Sequence, residues 1–148
     1  MSSKVPVAYI NIRVFAHATE DEDKVLAAVR NTLPPQVSEN LMFKKSNLIG
    51  HHGNPIKLFE AKVKEKDHVK AFLEKLGSKM TSLDKEILNS EIEKHVERSC
   101  LYLRLDKQSA YLNEIRLCTS DPIHLRIHFR RADSKGIAEF CRKIGIIQ

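Results

Sequence analysis

Apolar and polar residues alternate from Val5 to Ala16. Ala8, Ile10, Ile12 and Val14 fall on one face and Tyr9, Asn11, Arg13 and Phe15 on the other, a period of two that predicts a strand with one buried side. From Thr19 the period lengthens. Val25, Ala28, Val29 and Leu33 recur at helical spacing, Thr19 with Glu22 reads as a capping box, and Glu20, Asp21 and Asp23 suit the positive end of a helix dipole. Pro34-Pro35 stops that helix, and Pro35 to Asn40 reads as a loop. Two extended runs follow, Leu41 to Ile49 and Ile56 to Lys64, around a six-residue turn, Gly50 to Pro55, whose Gly53-Asn54-Pro55 favours positive φ and then extended backbone. Val69, Phe72, Leu73 and Leu76 then form one helical face, and Gly77 suits its end.

The second half repeats this grammar. Thr81 with Asp84 opens a helix predicted to run from Leu83 to about Glu97, with Ile87, Leu88, Ile92 and Val96 as its apolar stripe. In Ser99–Asp106, Leu101, Leu103 and Leu105 point one way and Cys100, Tyr102, Arg104 and Asp106 the other. Lys107 to Leu112 fits a single helical turn, Glu114 to Cys118 a short strand, and Thr119 to Pro122 a turn. Ile123 to Arg130 alternates most cleanly, with Ile123, Leu125, Ile127 and Phe129 inward and His124, Arg126, His128 and Arg130 outward. A last helix begins near Asp133 or Ser134, with Ile137, Phe140, Cys141 and Ile144 recurring at helical spacing. A hairpin feeding a helix onto its own sheet predicts one α+β domain over residues 1–148, a mostly antiparallel sheet with helices packed on one face.

Composition narrows the class. No apolar run approaches the about 18 residues of a membrane span, and no apolar segment of a signal peptide follows Met1 to Lys4. Cys100, Cys118 and Cys141 are widely spaced and odd in number, which suits reduced thiols in the cytoplasm. The net charge is +6, and it is unevenly spread: residues 1–97 carry 15 basic and 14 acidic side chains, residues 98–148 carry 10 and 5. That asymmetry suggests a polyanionic partner.

The candidate chemistry sits on the Ile123–Arg130 strand. Four alternate outward positions, roughly 6.7 Å apart, are cationic or can become so, and arginine forks onto two phosphate oxygens. Arg126, Arg130 and Arg104 are candidate phosphate contacts, with His124 and His128 between them, Lys107 nearby and Tyr102 to stack a base. Tyr9 and Arg13 would join them if their face coincides. His51, His52 and Asn54 form an adjoining polar turn. A metal site finds little support: adjacent His51 and His52 diverge on extended backbone, His124 and His128 stand about 13 Å apart, and His17, His68 and His95 lack companions at ligand spacing. No motif implies a cofactor, and no serine-hydrolase, phosphate-loop or zinc-deaminase motif is present. Cys141 reads as a buried small apolar residue.

Three runs carry a family resemblance: TEDEDKVLAAVRNTLP (Thr19–Pro34), GHHGNPIKLFEAKV (Gly50–Val63) and LRLDKQSAYLNEIRL (Leu103–Leu117). They resemble an archaeal family of RNA-binding proteins described as predicted exosome subunits, across nearly the whole chain. The Gly-Asn-Pro turn and the Asp-Lys-Gln-x-Ala-Tyr run are the most specific parts. Asn113 stands where glycine is expected, and asparagine also tolerates positive φ. The resemblance implies a ribosomal-protein-like fold, similar to the large-subunit protein that contacts 5S RNA. It further implies a cytoplasmic, non-catalytic protein with RNA, exosome subunits or a second copy of itself as partners. Two other readings stay open from the residues: a protein-interaction module docking through a sheet face or edge, and a metal-dependent nuclease.

Overall fold

The structure, a computed structural model, describes residues 6–147. The start of the first strand at Val5 and the segment Met1 to Lys4 lie outside the described residues. The elements are β1 (Val7–His17), α1 (Glu22–Asn31), α2 (Pro35–Ser38), β2 (Lys44–Ile49), β3 (Pro55–Val63), α3 (Lys66–Lys79), α4 (Ser82–Ser90), a 3-10 turn (Ile92–His95), β4 (Val96–Glu97), β5 (Cys100–Leu105), α5 (Lys107–Tyr111), β6 (Ile123–Phe129) and α6 (Ser134–Ile144). The strands form one six-stranded sheet in the order β2-β3-β1-β6-β5-β4, with every pairing antiparallel. The chain is an α+β protein.

Alternation decides which sheet face is covered. Ile10, Ile12 and Val14 of β1, Phe59, Ala61 and Val63 of β3, Leu101, Leu103 and Leu105 of β5, and Ile123, Leu125, Ile127 and Phe129 of β6 are all buried. Helical stripes close over them: Val25, Ala28 and Val29 of α1, Val69, Phe72, Leu73 and Leu76 of α3, Leu88 of α4, and Ile137, Ala138 and Cys141 of α6. One register shift changes the expected pattern. Val7 pairs with Phe129 but Tyr9 with His128, so Ala8 is bulged and Val7 enters the core beside Ile10.

Local chemistry corrects several expected boundaries. Asp21, not Thr19, caps α1: its carboxylate accepts from the backbone N–H of Asp23 at 2.9 Å and of Lys24 at 3.4 Å. Residues 17–20 close their own turn first, the Glu20 N–H donating to the His17 carbonyl at 2.9 Å. Pro35 to Asn40 is not all loop, since Pro35 starts the short helix α2, its fixed φ suiting the first turn. Strand β2 begins at Lys44 rather than Leu41, and its turn spans five residues because Pro55 already pairs with Ile49. Gly53 has φ of +80°, as the turn requires. Gly77 does not end α3 but sits inside it, against the backbone of Ile144 and Gly145. Thr81 caps α4 as expected, accepting from the Asp84 N–H at 3.1 Å.

Helix α4 stops at Ser90, not near Glu97, because Val96 and Glu97 turn back to pair with Leu101 and Cys100. The predicted strand Glu114–Cys118 reduces to one bridge between Leu105 and Leu117. Asn113, at φ of +64°, does adopt the left-handed backbone expected of it.

Candidate nucleic-acid interface

Strand pairing builds the uncovered face of the sheet as a grid. One row runs Lys44, Glu60, Arg13, His124, Arg104 across β2, β3, β1, β6 and β5. The next runs Lys62, Asn11, Arg126, Tyr102, and a third Tyr9, His128, Cys100. The faces of Tyr9 with Arg13 and of Tyr102 with Arg104 therefore coincide. Five permanent cations, Lys44, Lys62, Arg13, Arg104 and Arg126, meet two carboxylates among these described positions, Glu60 in the middle and Glu97 opposite Cys100 at the β4 edge. Met42, Lys44, Glu60, Lys62, Asn11, Arg13, His124, Arg126 and Tyr102 line an open basin of about 720 Å³ at its centre.

The third row is braced internally. Arg126 Nε donates to Cys100 Sγ at 3.3 Å, and Cys100 Sγ lies 3.2 Å from His128 Nδ1. The His128 ring stacks on Tyr9 with centroids 4.7 Å apart, and Lys62 Nζ stands 4.4 Å from the Tyr9 centroid. Tyr9 thus stiffens the face, while Tyr102 lines the basin. Burial, together with the charges of Arg13 and Arg104 on either side, holds His124 below the ordinary imidazole value. The hydrogen bond to Cys100 pushes Arg126 above its ordinary value.

The structure brings Arg104, Arg126, Tyr102, His124 and His128 together. Arg130 is exposed one step beyond β6, its N–H donating to the Pro6 carbonyl at 2.9 Å. His51, His52 and Asn54 occupy the exposed tip of the β2–β3 hairpin, past the row where His17 meets Ile56, and are not part of the basin. There the backbone turns, so the two imidazoles do not diverge but meet edge to face at 5.1 Å. Lys107 takes a different role from the one expected. Its ammonium donates to the Phe15 carbonyl at 2.6 Å, to Glu20 Oε1 at 3.1 Å and to Asp121 Oδ2 at 2.9 Å, and its side chain is only 12% exposed. It lies on α5 under the helical side, tying β1, the first loop and the turn before β6 together.

Sequence reasoning missed Lys44, Lys62, Asn11 and Glu60. Alternation alone assigns each to a face of its own strand, but only the register places them beside Arg126.

His17 has gained companions that spacing did not show: His17 Nε2 lies 3.0 Å from Asp121 Oδ1 and 4.0 Å from Glu20 Oε1. The Lys107 ammonium already bonds both carboxylates, so an added cation would face its charge. The buried Cys141 thiol is pushed up to about 12, which suits an inert core residue.

An α+β protein with one sheet face covered by helices and the other open and basic is the class defined by this fold and site. A family model described as RNA binding matches residues 9–129, and the chain belongs to that family. It is 37% identical over 130 residues to the RNA-binding protein PAB1135 of Pyrococcus abyssi, covering 86% of this chain and 84% of that one. Among solved structures it is similar to protein AF2318 from Archaeglobus fulgidus, at 25% identity and a TM-score of 0.79, over 93% and 99% of the two chains. It is also similar to Mth689 from Methanothermobacter thermautotrophicus, at 27% identity and a TM-score of 0.77, over 94% and 98%. No helix among the described residues is long and apolar enough to cross a membrane.

Proposed function

We propose that this protein binds RNA, without catalysing a reaction on it, through the open face of its sheet. The observation that carries this reading is the grid of five fixed cations, drawn from five strands, around a basin that Tyr102 lines. Cations at strand spacing can pair with successive phosphates, and an aromatic among them can stack an unpaired base. Arg104, Arg126 and Lys62 hold phosphates, Arg13 adds a cation at the basin wall, and Tyr102 stacks a base. Arg130 extends the track, His124 and His128 add charge when protonated, and the hairpin tip with His51, His52 and Asn54 forms a separate outlying contact. The family's description and that of PAB1135 support the choice of RNA over other polyanions.

A cytoplasmic accessory role beside exosome subunits, with a fold akin to the ribosomal protein that contacts 5S RNA, belongs to the same proposal. Such a role needs a protein contact. Strand β2 is a sheet edge with exposed Leu48 and Ile49 (81% accessible), and it suits strand addition by a partner or by a second copy. Fluorescence anisotropy of labelled RNA across a salt series tests the main reading. Arg104→Ala with Arg126→Ala should weaken many sequences alike and flatten the log–log salt plot by about 0.7 per lost contact to a single strand. An unchanged slope in a folded double variant would remove this face from consideration.

A further inference from the structure

The basin holds one acidic group in a basic setting. Glu60 faces Lys44 on one side and Arg13 on the other in the strand register. Yet it forms no hydrogen bond or ion pair with either among the described residues. A carboxylate placed only to balance those cations would be expected to close onto one of them. Asn11, one diagonal step away at roughly 7–8 Å, also lines the basin with its amide uncommitted. Glu60 and Asn11 therefore offer paired acceptors and an amide inside a cavity rimmed by phosphate-binding groups.

A carboxylate inside a phosphate-binding basin opposes the backbone electrostatically, so it needs a compensating donor from the ligand. The nucleobases differ in what they offer. Guanine sets N1–H and N2–H side by side, two donors matching two carboxylate oxygens, with O6 and N7 as acceptors on the adjoining edge. Glu60 beside Arg13 sets a carboxylate next to a cation, the complement of those two edges. Adenine would turn its N1 lone pair toward the carboxylate. Cytosine brings one amino group and uracil one N–H. Resting on the RNA reading above, we infer that the basin is a guanine-selective pocket for an unpaired nucleotide: Glu60 accepts from N1–H and N2–H, Asn11 and Arg13 meet the O6 side, and Tyr102, three strands across the sheet, stacks a neighbouring base.

The test uses the full chain and labelled oligouridine strands carrying one central guanosine, adenosine, cytidine or inosine. A single substituted position avoids four-stranded guanine assemblies. The parent should bind the guanosine strand about tenfold tighter than the adenosine strand, the scale of hydrogen bonds to a charged group. Inosine, which lacks the N2 amine, should fall between them, and that comparison needs no variant. Glu60→Gln keeps the shape but replaces one acceptor by a donor. It should bring the guanosine-to-adenosine ratio close to one while circular dichroism shows an unchanged melt. A parent that binds all four strands alike, or a Glu60→Gln protein that keeps the preference, overturns the pocket and leaves the RNA reading standing. A parent that binds none of them overturns the RNA reading and this inference with it.

Discussion

At the scale of single residues, the clearest lesson is Lys107. In sequence it sits among the basic residues of the last third and looks like one more phosphate ligand. In the fold its ammonium is spent on a carbonyl and two carboxylates. Lys107→Met should therefore cost stability, about 2 kcal/mol from hydrogen bonds to charged groups that remain partly solvated, while RNA affinity and its salt slope stay at the parent values. A denaturant titration beside the anisotropy assay checks both halves. The site also predicts an acid response. Burial pushes Asp121 up, but hydrogen bonds from Lys107 and His17, with their charges, outweigh it and hold the carboxyl below its ordinary 3.8. A depressed folded value means its stabilisation is complete above that ordinary value and is lost as pH falls through the folded one. Thermal melts taken from about pH 5 down to about pH 2 should decline less steeply in Lys107→Met, because that variant has already lost the partner. An equally steep decline would show that Asp121 does not depend on Lys107.

At the scale of elements, the strand faces were legible because period two is a local property. Each of Ile10, Leu103 and Ile127 declares its side through its immediate neighbours, and all three are buried. What depends on distant chain was not legible. The apolar stripe through Ile92 and Val96 continues a helical period past Ser90. The chain nevertheless leaves the helix to make the β4–β5 hairpin, whose turn places Arg98 at φ of +49° and Ser99 at +64°. Such a turn normally announces itself as Asn-Gly, and Arg-Ser gives no such signal. Gly77 was misread for a similar reason. A glycine late in a helix suggests an end, but here it permits contact between α3 and the C-terminus of α6, where an added Cβ would come 2.5 Å from the Ile144 carbonyl oxygen. Gly77→Ala should thus destabilise by about 1–2 kcal/mol, overpacking outweighing the gain of up to about 1 kcal/mol in helix propensity. Exposed Ser78→Ala should change stability by no more than about 0.5 kcal/mol. If Gly77→Ala raised the denaturation midpoint, the two helices would not be in close contact.

At the scale of the whole molecule, charge looks different in space than along the chain. The sequence concentrates its excess in residues 98–148, yet the basic face draws Arg13, Lys44 and Lys62 from the first half as much as Arg104 and Arg126 from the second. Two explanations of RNA binding then make opposite forecasts. If a net charge of +6 simply attracts a polyanion, any two exposed cations should matter equally. If the open sheet face is the binding surface, position decides. Lys66 and Lys70 are exposed on α3, on the helical side, so Lys66→Ala with Lys70→Ala removes the same charge as Arg104→Ala with Arg126→Ala from the opposite side. The α3 pair should leave the salt slope near that of the parent, with a small loss of affinity that fades as salt shortens the screening length. The sheet pair should reduce the slope by about 1.4 in total for a single strand. Ile127→Ala separates folding from binding: the residue is fully buried, and the cavity should cost about 2–5 kcal/mol. Its remaining folded fraction should bind with the parent slope. Equal slope losses in the two double variants would mean that net charge, rather than the arrangement of this face, holds the RNA.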